Sequence, residues 1–216
     1  MSVKDNLLKL KESIPKGVTL VAVSKTKPNE LILEAYESGQ RDFGENYVQE
    51  LVEKQKELPA DIHWHFIGHL QTNKVKQIIP FAHLIHGVDS VKLLKEINKE
   101  SAKIGKVTSC LLQIYIADEE TKFGLDEQEC RALLKSEEFS QLKNIKLEGF
   151  MGMASNTDDE EKISSEFRKI VALRNEFTQY KVLSFGMSGD YQLAIKEGST
   201  MIRVGSLIFG ERNYNR

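Results

Sequence analysis

The chain has 216 residues, long enough for one sizeable core and slightly short for a full (β/α)8 barrel. Its 32 acidic and 30 basic side chains are interspersed and leave a formal charge of −2, which argues against a nucleic-acid or anionic-membrane partner. Met1 to Lys16 lacks the apolar run of a secretion signal, and no later stretch approaches a membrane span.

Cys110 and Cys130 are the only cysteines. The first lies in an apolar strand-like run and the second in a helical pattern, so both read as buried or semi-buried thiols. That usage fits the cytoplasm, where disulfides are rare. No repeat, low-complexity stretch or Pro/Gly-rich linker divides the chain, which predicts one domain over residues 1–216.

In chain order, the amphipathic segment Ser2–Glu12 reads as a helix, followed by strand-like runs alternating with helical patterns. Strands are expected at Val18–Lys25, Asp42–Asn46, His63–Gly68, Leu84–Val88, Ser109–Ile116, Leu147–Met153, Val182–Met187 and Met201–Phe209. Helices are expected at Asn29–Ser38, Tyr47–Glu57, Gln71–Ile79, Ser90–Ile104, Asp126–Ser136, Asp158–Phe177 and Tyr191–Glu197. Eight β units alternating with helices predict an α/β fold that closes as a (β/α)8 TIM barrel, with an open doubly wound sheet as the alternative. Gly210–Arg216 is too short for an eighth helix, so the N-terminal helix is expected to cover that outer face.

Strand alternation in Val18–Lys25 puts Val21, Val23 and Lys25 on one face, with Lys25 at the C-terminal end, where barrel active sites sit. Apolar neighbours there would favour the neutral amine that Schiff-base formation requires. By itself the segment fits a solvated strand-end lysine better, since most lysines are solvated. Ser184–Tyr191 (S-F-G-M-S-G-D-Y) ends strand 7 and opens a helix, with Ser188 between Gly186 and Gly189. Ile202–Gly210 (I-R-V-G-S-L-I-F-G) carries Gly205 and Ser206 at the end of strand 8. Barrels frequently bind phosphate through these two loops. Arg203, inside the last strand, needs an acceptor: a cofactor atom or an acidic neighbour. Asn46 stands at the end of strand 2, where it would also serve as a helix cap, and His65 shares a strand face with His63 and Ile67.

Taken together, A-V-S-K-T-K-P, F-G-E-N-Y-V-Q-E, H-W-H-F-I-G-H-L-Q-T-N-K, G-M-S-G-D and M-I-R-V-G-S-L-I-F-G resemble the pyridoxal phosphate homeostasis protein family. That family is related to the N-terminal barrel of alanine racemase, and the resemblance runs from about Leu7 to Arg212. It implies pyridoxal 5′-phosphate (PLP) as cofactor, held as a Schiff base on Lys25. It further implies Ser188, Gly205 and Ser206 on the phosphate and Arg203 against the pyridine nitrogen. Asn46 and His65 would line the ring, with Met151 or Met153 nearby. Family members commonly have Thr where this chain has Ser206; the hydroxyl survives. An arginine cannot accept the proton that makes PLP a strong electron sink, so the resemblance implies a PLP-binding protein without a defined reaction.

Two other functions compete with this one. A PLP-dependent racemase of the related fold needs a second domain and a tyrosine base from a partner subunit, and the chain ends just after strand 8. A metal-dependent hydrolase would use the His63-Trp64-His65 pair, but the last strand offers no aspartate ligand, and no metal is expected. The expected partners are PLP and the apoenzymes that require it, with a monomer favoured over a dimer.

Overall fold

The computed structural model describes residues 2–117 and 123–211. Its strands are the short apolar runs whose alternate side chains face two different layers. They are β1 (Thr19–Val23), β2 (Asp42–Glu45), β3 (His63–Phe66), β4 (Leu84–Val88), β5 (Thr108–Gln113), β6 (Ile145–Met151), β7 (Val182–Ser184) and β8 (Met201–Val204). All neighbours are parallel, and β8 pairs back onto β1 with Val21 opposite Arg203, closing the barrel. The open-sheet alternative is thereby excluded.

The helices are α1 (Val3–Glu12), α2 (Asn29–Glu37), α3 (Val48–Glu57), α4 (Val75–Ile78), α5 (Val91–Lys103), α6 (Glu127–Lys135), α7 (Glu137–Ser140), α8 (Glu160–Glu176), α9 (Tyr191–Lys196) and α10 (Ser206–Phe209). The side chains of Ser90, Asp126 and Asp159 accept from backbone N–H groups of the first turns of α5, α6 and α8, which explains where these helices begin. The α1 start is a reciprocal capping box between Ser2 and Asp5. As expected, α1 covers the face beside the last strand: it packs on α2 and α10, and Asn6 Nδ2 donates to the Ile208 carbonyl at 3.1 Å.

Most element boundaries shift by a few residues from expectation: β7 stops at Ser184 rather than Met187, and β6 runs Ile145–Met151. Helix α7 is not among the expected helices. Three further differences change an element or bear on the site. The last strand stops at Val204, and Ser206–Phe209 coils into α10, because Gly205 turns the chain out of the sheet and onto α1. The helix expected from Gln71 to Ile79 opens as a 3-10 turn, Thr72–Lys74, and only then becomes α4. The first strand ends at Val23, two residues before Lys25. Of the tail Gly210–Arg216, only Gly210 and Glu211 lie within the described residues.

Two apolar layers result. The larger fills the space between strands and helices, with Leu20, Ala22, Phe43, Phe66, Phe150 and Ile202 among its members. The smaller lies inside the barrel and consists of Val21, Leu84, Leu111, Met151 and Met201. Both cysteines are buried, and burial pushes each thiol up to about 12.

Candidate functional site

A cavity of about 190 Å³ opens at the C-terminal mouth of the barrel. It is lined by Lys25, Asn46, Met153, Ser188, Arg203, Gly205 and Ser206, seven of the nine residues singled out from the sequence, together with Val23, Lys27, Ile67, Met187 and Gly210. Its volume suits a single-ring ligand.

Lys25 is half-buried and sits in a tight turn after β1. The next residue, Thr26, is the one described non-glycine residue with positive φ, at 62°. A β-branched residue there stores strain that its surroundings must hold. They do so through a buried polar cluster. Thr26 N–H donates to Glu50 Oε1 at 2.6 Å, and Lys54 Nζ donates to Glu50 Oε1 (2.6 Å), Glu45 Oε1 (2.8 Å) and the Ser24 carbonyl (2.8 Å). Ser24 Oγ also donates to Glu45 Oε1 at 2.6 Å. Burial pushes the Glu45 carboxyl up to about 7, against the pull of Lys54 and Ser24. The cluster pins both sides of Lys25 and thereby sets where its side chain leaves the backbone.

Lys27 has a different task. Its Nζ donates to the carbonyls of Phe209, Gly210 and Glu211, each at 3.1 Å, tying the end of α10 to the β1 turn. These bonds commit the Lys27 ammonium group to the backbone at the end of α10.

On the opposite wall, the Gly205 N–H donates to Ser188 Oγ at 3.2 Å and joins the two turns after β7 and β8. The first N–H groups of a helix have no intrahelical acceptor, so the start of α10 adds donors beside the Ser188 and Ser206 hydroxyls. A Cβ on Gly205 would lie 3.1 Å from the Val23 carbonyl oxygen, so the bare backbone keeps this wall close to β1.

Arg203 forms the floor. Three of the five N–H donors of a guanidinium go to the Ser184 carbonyl (2.7 Å), Ser184 Oγ (2.7 Å) and the Gly152 carbonyl (3.1 Å). Burial lowers its pKa to about 10, partly offset by Asp190, so it stays a cation at neutral pH. No carboxylate oxygen bonds it among the described residues; of the two acceptors the sequence left open, only a more distant Asp190 charge is acidic.

His65 and Met151 lie outside the cavity lining, contrary to expectation. Alternation gave them the correct face but not the depth: both point into the barrel interior, where Met151 packs against Val21, Leu84, Leu111 and Met201. His65 belongs to a hydrogen-bond chain that crosses the interior. Its Nε2 lies 3.0 Å from Asp42 Oδ1 and its Nδ1 lies 2.9 Å from His86 Nε2; His86 Nδ1 lies 3.0 Å from Ser184 Oγ. Burial lowers the pKa of both imidazoles and keeps them neutral. Burial also acts to raise Asp42, but the His65 hydrogen bond and nearby imidazoles more than reverse this. One assignment then satisfies every contact: Arg203 donates to Ser184, Ser184 to His86, His86 to His65, and His65 to the Asp42 carboxylate. His63, its expected companion, is exposed at the N-terminal edge.

The sequence reading missed Thr26, Ser24, Glu45 and Lys54. One signal was present: Lys54 falls on the buried stripe of α3 with Val48 and Leu51, where a charge requires a partner.

One atom shows what the cavity lacks. Asn46 Oδ1 is buried without a hydrogen-bond partner among the described residues, in a side chain that lines the cavity. Such an orphan is costly unless a ligand or water meets it. A polar ring substituent would supply the missing donor, and the hydroxyls and amides across the cavity suit a phosphate, so the residues present fit a phosphorylated pyridine aldehyde.

The barrel, its mouth-facing lysine and the paired serine–glycine turns place the chain in the class of alanine racemase-type barrels. The family model described as "Alanine racemase, N-terminal domain" matches residues 1–213. Within that class, the chain belongs to the pyridoxal phosphate homeostasis protein family. It is 40% identical to a protein of that name from Vibrio alginolyticus, covering 93% of this chain and 89% of that one, and 41% identical to one from Aquifex aeolicus, covering 90% and 87%. The solved structure of PipY from Synechococcus elongatus with PLP bound is 35% identical, covers 97% of this chain and 100% of its own, and superposes with a TM-score of 0.86.

Proposed function

We propose that this chain is a single barrel domain over residues 1–216 that binds PLP in the mouth cavity, with Lys25 as its covalent anchor. Its role would be to hold the cofactor and release it to apoenzymes that need it. One observation carries the reading: the cavity gathers Lys25, the Ser188/Gly205/Ser206 wall, Arg203 and Asn46 with its orphaned Oδ1. The names of the relatives and the PLP in the PipY structure agree with it.

Bound PLP supplies an aldehyde for a lysine amine and a ring that withdraws electrons when its nitrogen is protonated. Lys25 provides the amine, and the Thr26 turn fixes its origin. Ser188, Ser206 and the amides opening α10 provide phosphate donors. Arg203 has no lone pair to share and donates only, so a pyridine nitrogen set against it stays unprotonated and stabilises carbanions poorly. The chain therefore keeps the cofactor without driving a defined reaction. No helix of the described residues is long and apolar enough to cross a membrane. We assign the protein to the cytoplasm and read it as a monomer.

The test is a PLP titration followed by visible absorption. The parent protein gains the red-shifted Schiff-base absorption and saturates at one equivalent; Lys25→Ala shows only the absorption of the free aldehyde. The red-shifted band in Lys25→Ala would move the anchor elsewhere.

A further inference from the structure

We propose that the N-terminal mouth of the barrel, at the end opposite the cofactor cavity, is a divalent transition-metal site formed by Asp42, His63 and His83, with Zn(II) as its chemical match. One ligand atom from each of these residues lies within 4.8 Å of the other two. The placement follows from the sheet. Asp42 and His63 open adjacent strands and are register partners, and the His83 N–H donates to the Trp64 carbonyl at 2.9 Å, which sets His83 at the start of β4. The backbone of three neighbouring strands thus delivers two imidazoles and a carboxylate to one edge.

The side chains are already drawn together. His63 Nδ1 lies 3.2 Å from Asp42 Oδ1, and the His63 and His83 rings stack with centroids 4.4 Å apart. From inside the barrel, His65 Nε2 contacts the same Asp42 oxygen at 3.0 Å and orients the carboxylate, as outer groups around metal sites do. Metal–ligand bonds of about 2.0–2.1 Å require a tighter triangle than the present one. His63 can close it by rotating off the stack, since it is exposed.

The donor set selects the ion. Two imidazoles and one carboxylate suit Zn(II), Co(II) or Ni(II), whereas Ca(II) and Mg(II) call for oxygen ligands. Lys11 lies close enough to Asp42 to feel its charge, and positive charge there weakens any cation held by charge alone, so the two imidazoles must carry the affinity. Lys106, the other nearby cation, donates to the carbonyls of Ile79, Pro80 and Ala82. Three protein ligands leave one position for water, and the bound ion would clasp β2, β3 and β4 at their starts. The proposal is independent of the PLP reading, because the two sites occupy opposite ends of the barrel.

The test uses the full PLP-loaded chain without a polyhistidine tag, stripped with a chelator and titrated with Zn(II) by calorimetry and with Co(II) by visible absorption. One equivalent should bind, Co(II) should show tetrahedral d–d bands, and Zn(II) should raise the melting temperature. His63→Ala and His83→Ala should each weaken binding at least tenfold, and the double variant should lose the thermal shift while its metal-free melting temperature stays that of the parent. The absence of saturable binding in the parent overturns the proposal, as does a double variant that binds Zn(II) as tightly as the parent.

Discussion

Gly68 lets the end of β3 approach the backbone of Asn46, whose side chain lines the cavity. A Cβ there would lie 2.3 Å from the Asn46 carbonyl oxygen, 2.8 Å from its Cα and 2.9 Å from its carbonyl carbon. All three are backbone atoms, so no side-chain rotation relieves the clash, and the Asn46 backbone must retreat by roughly 1 Å to reach ordinary contact. Overpacking of this kind costs about 1–3 kcal/mol, and the rigid neighbour puts Gly68→Ala at the upper end, about 3 kcal/mol. For a chain of this size that is about 6–12 °C in melting temperature. Because Asn46 lines the cavity, PLP affinity should fall as well. Gly189→Ala is the matched control: nothing lies within 4 Å of its Cβ, so its stability should change by no more than about 1 kcal/mol. Urea unfolding and PLP titration of both variants decide the matter. A Gly68→Ala protein within about 0.5 kcal/mol of its parent would refute the close approach of the β2 and β3 ends.

Other consequences are equally direct. Glu45 has a raised folded pKa of about 7, so its favourable contribution is full below the unfolded value of 4.5 and is lost as pH rises through about 7. That amounts to about 3 kcal/mol, and Glu45→Gln should flatten the fall in unfolding free energy between about pH 5 and 8; an unchanged slope would contradict the burial argument. Ser184→Ala removes the link between Arg203 and His86 and should cost about 1–3 kcal/mol by urea unfolding while the protein still gains the red-shifted band with PLP. Lys27→Met frees the end of α10 and should lower stability yet leave the visible band in place, in contrast to Lys25→Ala. Alanine racemisation by the loaded protein should not exceed that of free PLP; turnover well above it would show that Arg203 does not quench the cofactor.

The barrel was legible because its signals are local. Alternation placed Val21 and Lys25 on the inner face, and turn residues marked the loops after β7 and β8. What escaped depends on three-dimensional partners. The run L-I-F after Ser206 is as apolar as a strand, but its neighbour is α1 rather than another strand, so it coils into α10. His65 has the correct phase for the site and the wrong depth, because phase says nothing about height along the barrel axis. Thr26 gives no warning of its positive φ, which is imposed by Glu50 from α3. Asp42 was read only as the start of a strand; its role as the anionic end of the interior chain appears once β2, β3 and β4 are side by side.

The central claim is that Lys25, in its strained turn after β1, is the covalent anchor for PLP. Borohydride reduction of the loaded protein, followed by proteolysis and mass spectrometry of the labelled peptide, tests it most directly. The structure predicts one reduced pyridoxyl adduct per chain, on Lys25. An adduct on Lys27 or any other lysine, or none at all, would contradict it.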